Sequence, residues 1–167
     1  MASKIKRILS HLIDPPWRAR RAFPADVLKA VEAEIAASER LHTGELRFVV
    51  ETGLSLSHLL RGVPARQRAL EVFADLRIWD TEENSGVLIY LLLADRQVEI
   101  LADRGIHRKV GDATWRAICR DMETAFHDGR FRDGAIAGVR AISLVLEAHF
   151  PVSGPNPDEL PNSTIII

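Results

Sequence analysis

A chain of 167 residues, 47% hydrophobic and 27% charged, holds one domain with room for a packed core. Its charges nearly cancel, 22 Lys and Arg against 23 Asp and Glu, which argues against a nucleic-acid partner because such proteins carry a basic excess. The single cysteine, Cys119, excludes an intramolecular disulfide and a cysteine zinc cluster, and no apolar run approaches the ~20 residues of a membrane span.

Residues 4–13 spell a basic amphipathic helix, with Ile5, Ile8, Leu9 and Leu12 at helical spacing among Lys4, Lys6, Arg7 and His11. Pro15-Pro16 stop it, and Arg18, Arg20 and Arg21 add positive charge. The start lacks the long apolar centre and small-residue cleavage site of a signal peptide, so a soluble, cytoplasmic protein is expected. Two readings of this helix stay open. It makes peripheral contact with a membrane surface or a partner, or it folds back on the domain. Ten residues form a marginal helix alone, and residues 1–21 are expected to be dispensable for folding.

Phe23-Pro24 opens a second helix, with Asp26 in its first turn and Leu28, Val31 and Ile35 as a stripe that extends to Ser38 and His42. Gly44 is placed to end it as a left-handed cap before a strand from Leu46 to Glu51. His42 reads either as a C-terminal helix histidine or, beside Glu39 and Glu45, as a ligand. A loop with one helical turn spans Gly53 to Gly62, and Pro64 starts a helix with Ala69, Val72, Phe73 and Leu76 on one face. A polar turn from Trp79 to Gly86 then feeds the unbroken apolar run Val87–Ala94, a strand buried on both faces.

Asp95-Arg96 lacks the glycine of a two-residue hairpin, which predicts a longer loop into the alternating strand at Val98. Strand, helix, strand predicts a parallel βαβ unit, with the strand at Val98 antiparallel. After Gly105, Asp112 is the expected cap of a helix striped by Trp115, Ile118, Cys119, Met122 and Phe126. Asp133 is the expected cap of a last helix, apolar nearly all round, that Pro151 stops. Four prolines from Pro151 to Pro161 predict an extended or disordered tail, yet Thr164-Ile165-Ile166-Ile167 is β-prone and suits the edge of a sheet, in this molecule or another.

The segment Asn84-Ser85-Gly86-Val87-Leu88-Ile89-Tyr90-Leu91-Leu92, with Asp95-Arg96 and Glu99-Ile100-Leu101-Ala102-Asp103-Arg104-Gly105-Ile106, resembles the TPM-domain family. Ser38-Glu39-Arg40-Leu41-His42-Thr43-Gly44-Glu45 and His149-Phe150-Pro151 are similar to its short soluble members, and the resemblance runs from about Phe23 to Pro151. Ser85 interrupts the adjacent Asn-Gly usual in the family. The resemblance implies an α/β/α sandwich. From some relatives, one of them a chloroplast-lumen member linked to photosystem repair, it implies calcium binding and a weak phosphatase activity. The expected organisation is therefore a basic N-terminal segment over 1–22, a TPM-like domain over 23–151 and a Pro-rich tail over 152–167. The expected fold is a three-layer α/β/α sandwich with a small mixed sheet.

Dinucleotide, P-loop, zinc-protease and nucleophile-elbow motifs are all missing. Gly53-Leu54-Ser55-Leu56-Ser57 imitates a nucleophile turn without the second glycine or an evident acid–base partner. Topology gathers acids instead. Asp80, Glu82, Glu83 and Asn84 precede the central strand, Asp103 ends its antiparallel neighbour, and His42 with Glu45 precedes the parallel one. Asp80, Glu83, Asn84 and Asp103 are the candidate ligands of a divalent cation, calcium favoured because it takes 6–8 oxygens. Glu39, His42, Glu45 and Arg104 are the candidate ligand-binding residues. The alternative is a solvated rim neutralised by Arg40, Arg77 and Arg104. Two functions stay open: a non-catalytic module for an unidentified protein partner or a quality-control target, and a metal-assisted phosphatase.

Overall fold

The computed structural model describes His11 and residues 17–167, so the expected helix over 4–13 lies outside the described residues except for His11. Seven helices and four strands follow in the described chain. The order is α1 Trp17–Ala22, α2 Ala25–Ser38, β1 Glu45–Glu51, α3 Leu56–Arg61, α4 Ala65–Asp75, β2 Gly86–Leu92, β3 Gln97–Ala102, α5 Arg104–Val110, α6 Asp112–His127, α7 Phe131–His149 and β4 Ile165–Ile166.

The strands form one mixed sheet in the order β3-β2-β1-β4. β1 and β2 run parallel in the register Glu45↔Gly86 to Glu51↔Leu92, and β3 returns antiparallel to β2. The hairpin loop is the four-residue turn Leu93–Arg96, with Arg96 left-handed at φ 51°, which is why Asp95-Arg96 alone carries no two-residue turn signature. β1 and β2 are buried at every position. Val87, Ile89 and Leu91 join Leu46, Phe48 and Val50 in one core with α1, α2, α6 and α7. Leu88, Tyr90 and Leu92 join Val49 in a second core with Leu59 of α3 and Ala65, Ala69 and Val72 of α4. Helices on both faces of a buried sheet make the three-layer α/β/α sandwich that the unbroken apolar run demands.

Two glycines fix how the central strand is entered. A Cβ on Gly86 would lie 1.9 Å from the Ile78 carbonyl oxygen, a contact no side chain allows. A Cβ on Gly105 would lie 2.6 Å and 2.7 Å from the carbonyl oxygens of Asn84 and Glu83. Gly105 therefore does not close the hairpin as a turn. It sits in the first turn of α5, a helix the sequence did not announce, and lets that helix press on the Glu83-Asn84 turn.

Several expectations change. Gly44 is not a left-handed cap: α2 ends at Ser38, and Gly44 packs against Leu146. Gly111, not Asp112, occupies the cap of α6, and Asp112 lies in its first turn. α7 starts at Phe131 ahead of Asp133, and its outer side leaves Leu144 exposed. The proline-rich tail is irregular but placed, since Leu160 is buried and Ile165-Ile166 pair parallel with Val49-Val50 at the edge of this molecule's own sheet. At the other end Ala19 is fully buried in the larger core, and the His11 ring is buried between the Leu54 N–H and Asp95, 3.0 Å from each. That packing revises the expectation that residues 1–21 are dispensable.

Candidate functional site

The acidic corner is built where α2 hands over to β1. Glu39 caps the C-terminus of α2, and its side chain turns back so that Oε1 accepts the Leu46 N–H at 3.0 Å. Glu45 is the first residue of β1, and its Oε2 accepts the Leu160 N–H of the tail at 3.1 Å. The tail is tied down by several bonds. Asn156 Nδ2 donates to the Glu39 and His42 carbonyls at 2.8 and 3.2 Å, the Arg47 guanidinium donates to the Pro161 carbonyl, and Thr164 donates twice to Glu32 at 2.9 Å. So held, the tail brings exposed Asp158 to the two glutamates. One oxygen of each of Glu39, Glu45 and Asp158 lies within 4.8 Å of the others.

Burial raises the Glu39 carboxyl from 4.5 to about 8; the Leu46 N–H opposes it, and the charges of Glu45 and Asp158 add to it. Glu45 is raised as well, chiefly by burial. Without a cation, burial therefore favours the protonated form of Glu39 at neutral pH, and the two neighbouring carboxylates add to that preference. The Arg47 guanidinium feels the charge of Glu39, but its own burial lowers its pKa. Asn162 acts on Glu39 through its side chain, and its Oδ1 is buried with no hydrogen-bond partner. Three carboxylates are hard ligands, and exposed Asp158 leaves a side open for water, as calcium and magnesium require.

The remaining candidates fall into a separate group. Asp80 and Glu83 are exposed in the turn before β2. Asn84 is left-handed at φ 53° and accepts Arg104 Nε at 3.0 Å. Asp103 Oδ1 accepts the Arg104 N–H at 2.7 Å as the cap of α5, while its Oδ2 is buried without a partner. Asp80, Glu83, Asn84 and Asp103 thus share a region, in which Asn84 Oδ1 and Asp103 Oδ1 already accept from Arg104. His42 is fully buried in a bridge with Pro151 and does not join the carboxylates. Neither ring nitrogen makes a hydrogen bond of normal geometry, and burial lowers its pKa to about 4, the Gly44 backbone offsetting this only in part. Cys119 is half-buried, and burial pushes its thiol up to about 12, so it is inert.

A family model for the TPM domain matches residues 4–145, most of the chain. The chain belongs to the TPM-domain family. It is similar to the BA42 protein of the psychrophilic bacterium Bizionia argentinensis, solved by NMR, with 28% identity and a TM-score of 0.76 over 86% of this chain and 94% of that one. No curated protein matches the chain. Among the described residues, no helix of this TPM domain is long and apolar enough to cross a membrane.

Within the TPM match stand Glu39 and Glu45; Asp158 and Asn162 lie beyond it. Glu39 and Glu45 are two of the ligand-binding candidates that the sequence offers, whereas Asp158 and Asn162 are not among its candidates. The signal was the β-prone end. If Ile165 pairs with Val49, carrying the register four residues back along both strands sets Pro161 opposite Glu45, with Asp158 just beyond.

Proposed function

We propose that this TPM domain is a binding module whose acidic corner takes a divalent cation, calcium favoured, and thereby locks the tail along β1. The observation that carries the reading is the meeting of Glu39, Glu45 and Asp158 within 4.8 Å, from segments more than a hundred residues apart. A cation replaces the proton on Glu39 and relieves the repulsion that burial magnifies. Metal-assisted hydrolysis of a phosphate ester fits the corner less well. Glu39 and Glu45 are buried and each spends an oxygen on a backbone N–H, an arrangement for holding rather than for admitting a phosphoryl group. The surface offered to a protein partner is the shallow groove between α2 and α7, where Leu41 and Leu144 are half or more exposed beside the Glu34–Arg140 pair.

Thermal melts in EDTA, then with calcium or magnesium added back, test the reading. A ligand at a hundredfold excess over Kd adds about 2.7 kcal/mol of stability. The midpoint is expected to rise with calcium in the wild type and to lose that response in Asp158→Asn. A wild-type midpoint unmoved by millimolar calcium beyond ordinary salt screening removes the cation from the reading.

A further inference from the structure

At the far end of β1 from the acidic corner, Ser55 Oγ lies 2.6 Å from His58 Nδ1, and His58 Nε2 lies 3.1 Å from Glu71 Oε2. Glu71 belongs to α4 and also accepts Arg68 Nη1 at 3.1 Å. Arg68 Nε reaches both oxygens of Glu51, at 3.2 and 2.9 Å, and the Tyr90 O–H donates to Glu51 at 2.6 Å. The exposed serine is thus tied through four side chains to a phenol buried in the central strand.

Protons in this chain run one way. Burial raises the Glu71 carboxyl, and the Arg68 hydrogen bond with the His58 contact more than reverses it, leaving its pKa below the usual range. An ionised carboxylate only accepts, so His58 Nε2 turns a hydrogen toward Glu71, and in the neutral imidazole Nδ1 then presents a lone pair. The Ser55 hydroxyl fills that lone pair, while Ser57 Oγ at 3.0 Å donates to Ser55. A serine serving only as the cap of α3 needs its oxygen for the His58 N–H, which here is long at 3.4 Å, and needs no imidazole on its hydrogen. The expectation that the Gly53–Ser57 turn lacks an acid–base partner is corrected: His58 is one helical turn away, and its carboxylate arrives from a different helix.

We infer that Ser55 is a nucleophile, His58 its general base and Glu71 the residue that positions the imidazole, acting on small acyl esters. Ser55 Oγ attacks the carbonyl carbon as its proton passes to His58 Nδ1. The ester C–O bond breaks and the leaving alkoxide takes that proton, giving acyl-Ser55 and an alcohol. Water activated by the same imidazole then releases the acid and restores the serine. This activity is independent of the cation at the acidic corner.

The test uses the full chain, p-nitrophenyl acetate and a fluorophosphonate, in which a phosphorus–oxygen bond forms and fluoride leaves. Intact mass and peptide mapping are expected to show one adduct, on Ser55, formed at a rate that rises with pH along a single ionisation. Ser55→Ala removes the adduct and p-nitrophenol release together, and Ser153→Ala, at an exposed serine of the tail, keeps both. His58→Ala slows labelling about a hundredfold. Glu71→Gln slows it and moves the pH midpoint, which a merely structural residue would not do. If His58→Ala does not fold, the wild-type pH profile and His58→Gln take its place. No adduct, an adduct elsewhere, or labelling of Ser55 that ignores His58 and pH overturns the inference.

Discussion

Glu39 and His42, three positions apart and both buried, answer pH in opposite senses. Glu39 is raised from 4.5 to about 8, so it binds a proton more tightly folded than unfolded. Its contribution to stability is full below about pH 4.5 and lost as pH rises through 8. His42 is lowered from 6.5 to about 4, so its contribution is full above 6.5 and lost as pH falls through 4. The two slopes oppose each other from 4.5 to 6.5. From 6.5 to 8 the fall set by Glu39 remains, and Glu45, raised chiefly by burial, acts in the same sense. Urea melts in EDTA are expected to show stability dropping over that window by as much as about 1.4 kcal/mol per pH unit for the Glu39 carboxyl. Glu39→Gln keeps an acceptor for Leu46 and should flatten the drop, as should saturating calcium. Equal slopes in wild type and variant would mean that Glu39 is ionised. At this scale the sequence indicated which acids flank the start of β1. It did not indicate which third acid meets them, because Asp158 arrives through tail bonds made by Asn156, Arg47 and Thr164, none with a local signature.

Elements that announce themselves by periodicity are where the sequence placed them. The apolar run became β2, the alternating stretch became β3, and the stripe from Trp115 to Phe126 became the inner side of α6. Elements governed by contact with distant backbone were not legible. Gly105 looks like a turn residue in isolation, and only the carbonyls of Glu83 and Asn84 explain it as the close-packed start of α5. Gly44 is small because Leu146 of α7 covers it. The short helix α1 is similar, since Ala19 is its only buried residue and a lone alanine gives no stripe. Removing residues 1–21 deletes that alanine from the core and takes the His11 acceptor from the Leu54 N–H. The truncated protein should lose ~2 kcal/mol or more in equilibrium unfolding, from one lost buried hydrogen bond and the packing around it. A truncated chain as stable as the full one would show that the segment only decorates the surface.

Across the whole molecule, β2 is the shared wall of two cores. Leu91 faces the one under α2, α6 and α7, and Leu88 faces the one under α3 and α4. Leu88→Ala and Leu91→Ala are each expected to cost about 2–5 kcal/mol. Because the cavities open on opposite sides with separate neighbours, the double variant should lose nearly the sum. A loss under ~1 kcal/mol at both sites would contradict a wall buried on both faces. The outer side of β1 depends on a different partner, and here the order of synthesis matters. Val49 pairs with Ile165, 116 residues later in the chain (165 − 49). At translation rates of roughly 5–20 residues per second, Val49 and Val50 wait on the order of 6–23 s for the segment that covers them. Once β2 has joined it, β1 keeps its other edge unpaired until that segment is made, an apolar strand edge of the kind that invites pairing with another chain. The two-residue strand β4 is therefore also the last guard against pairing between nascent chains.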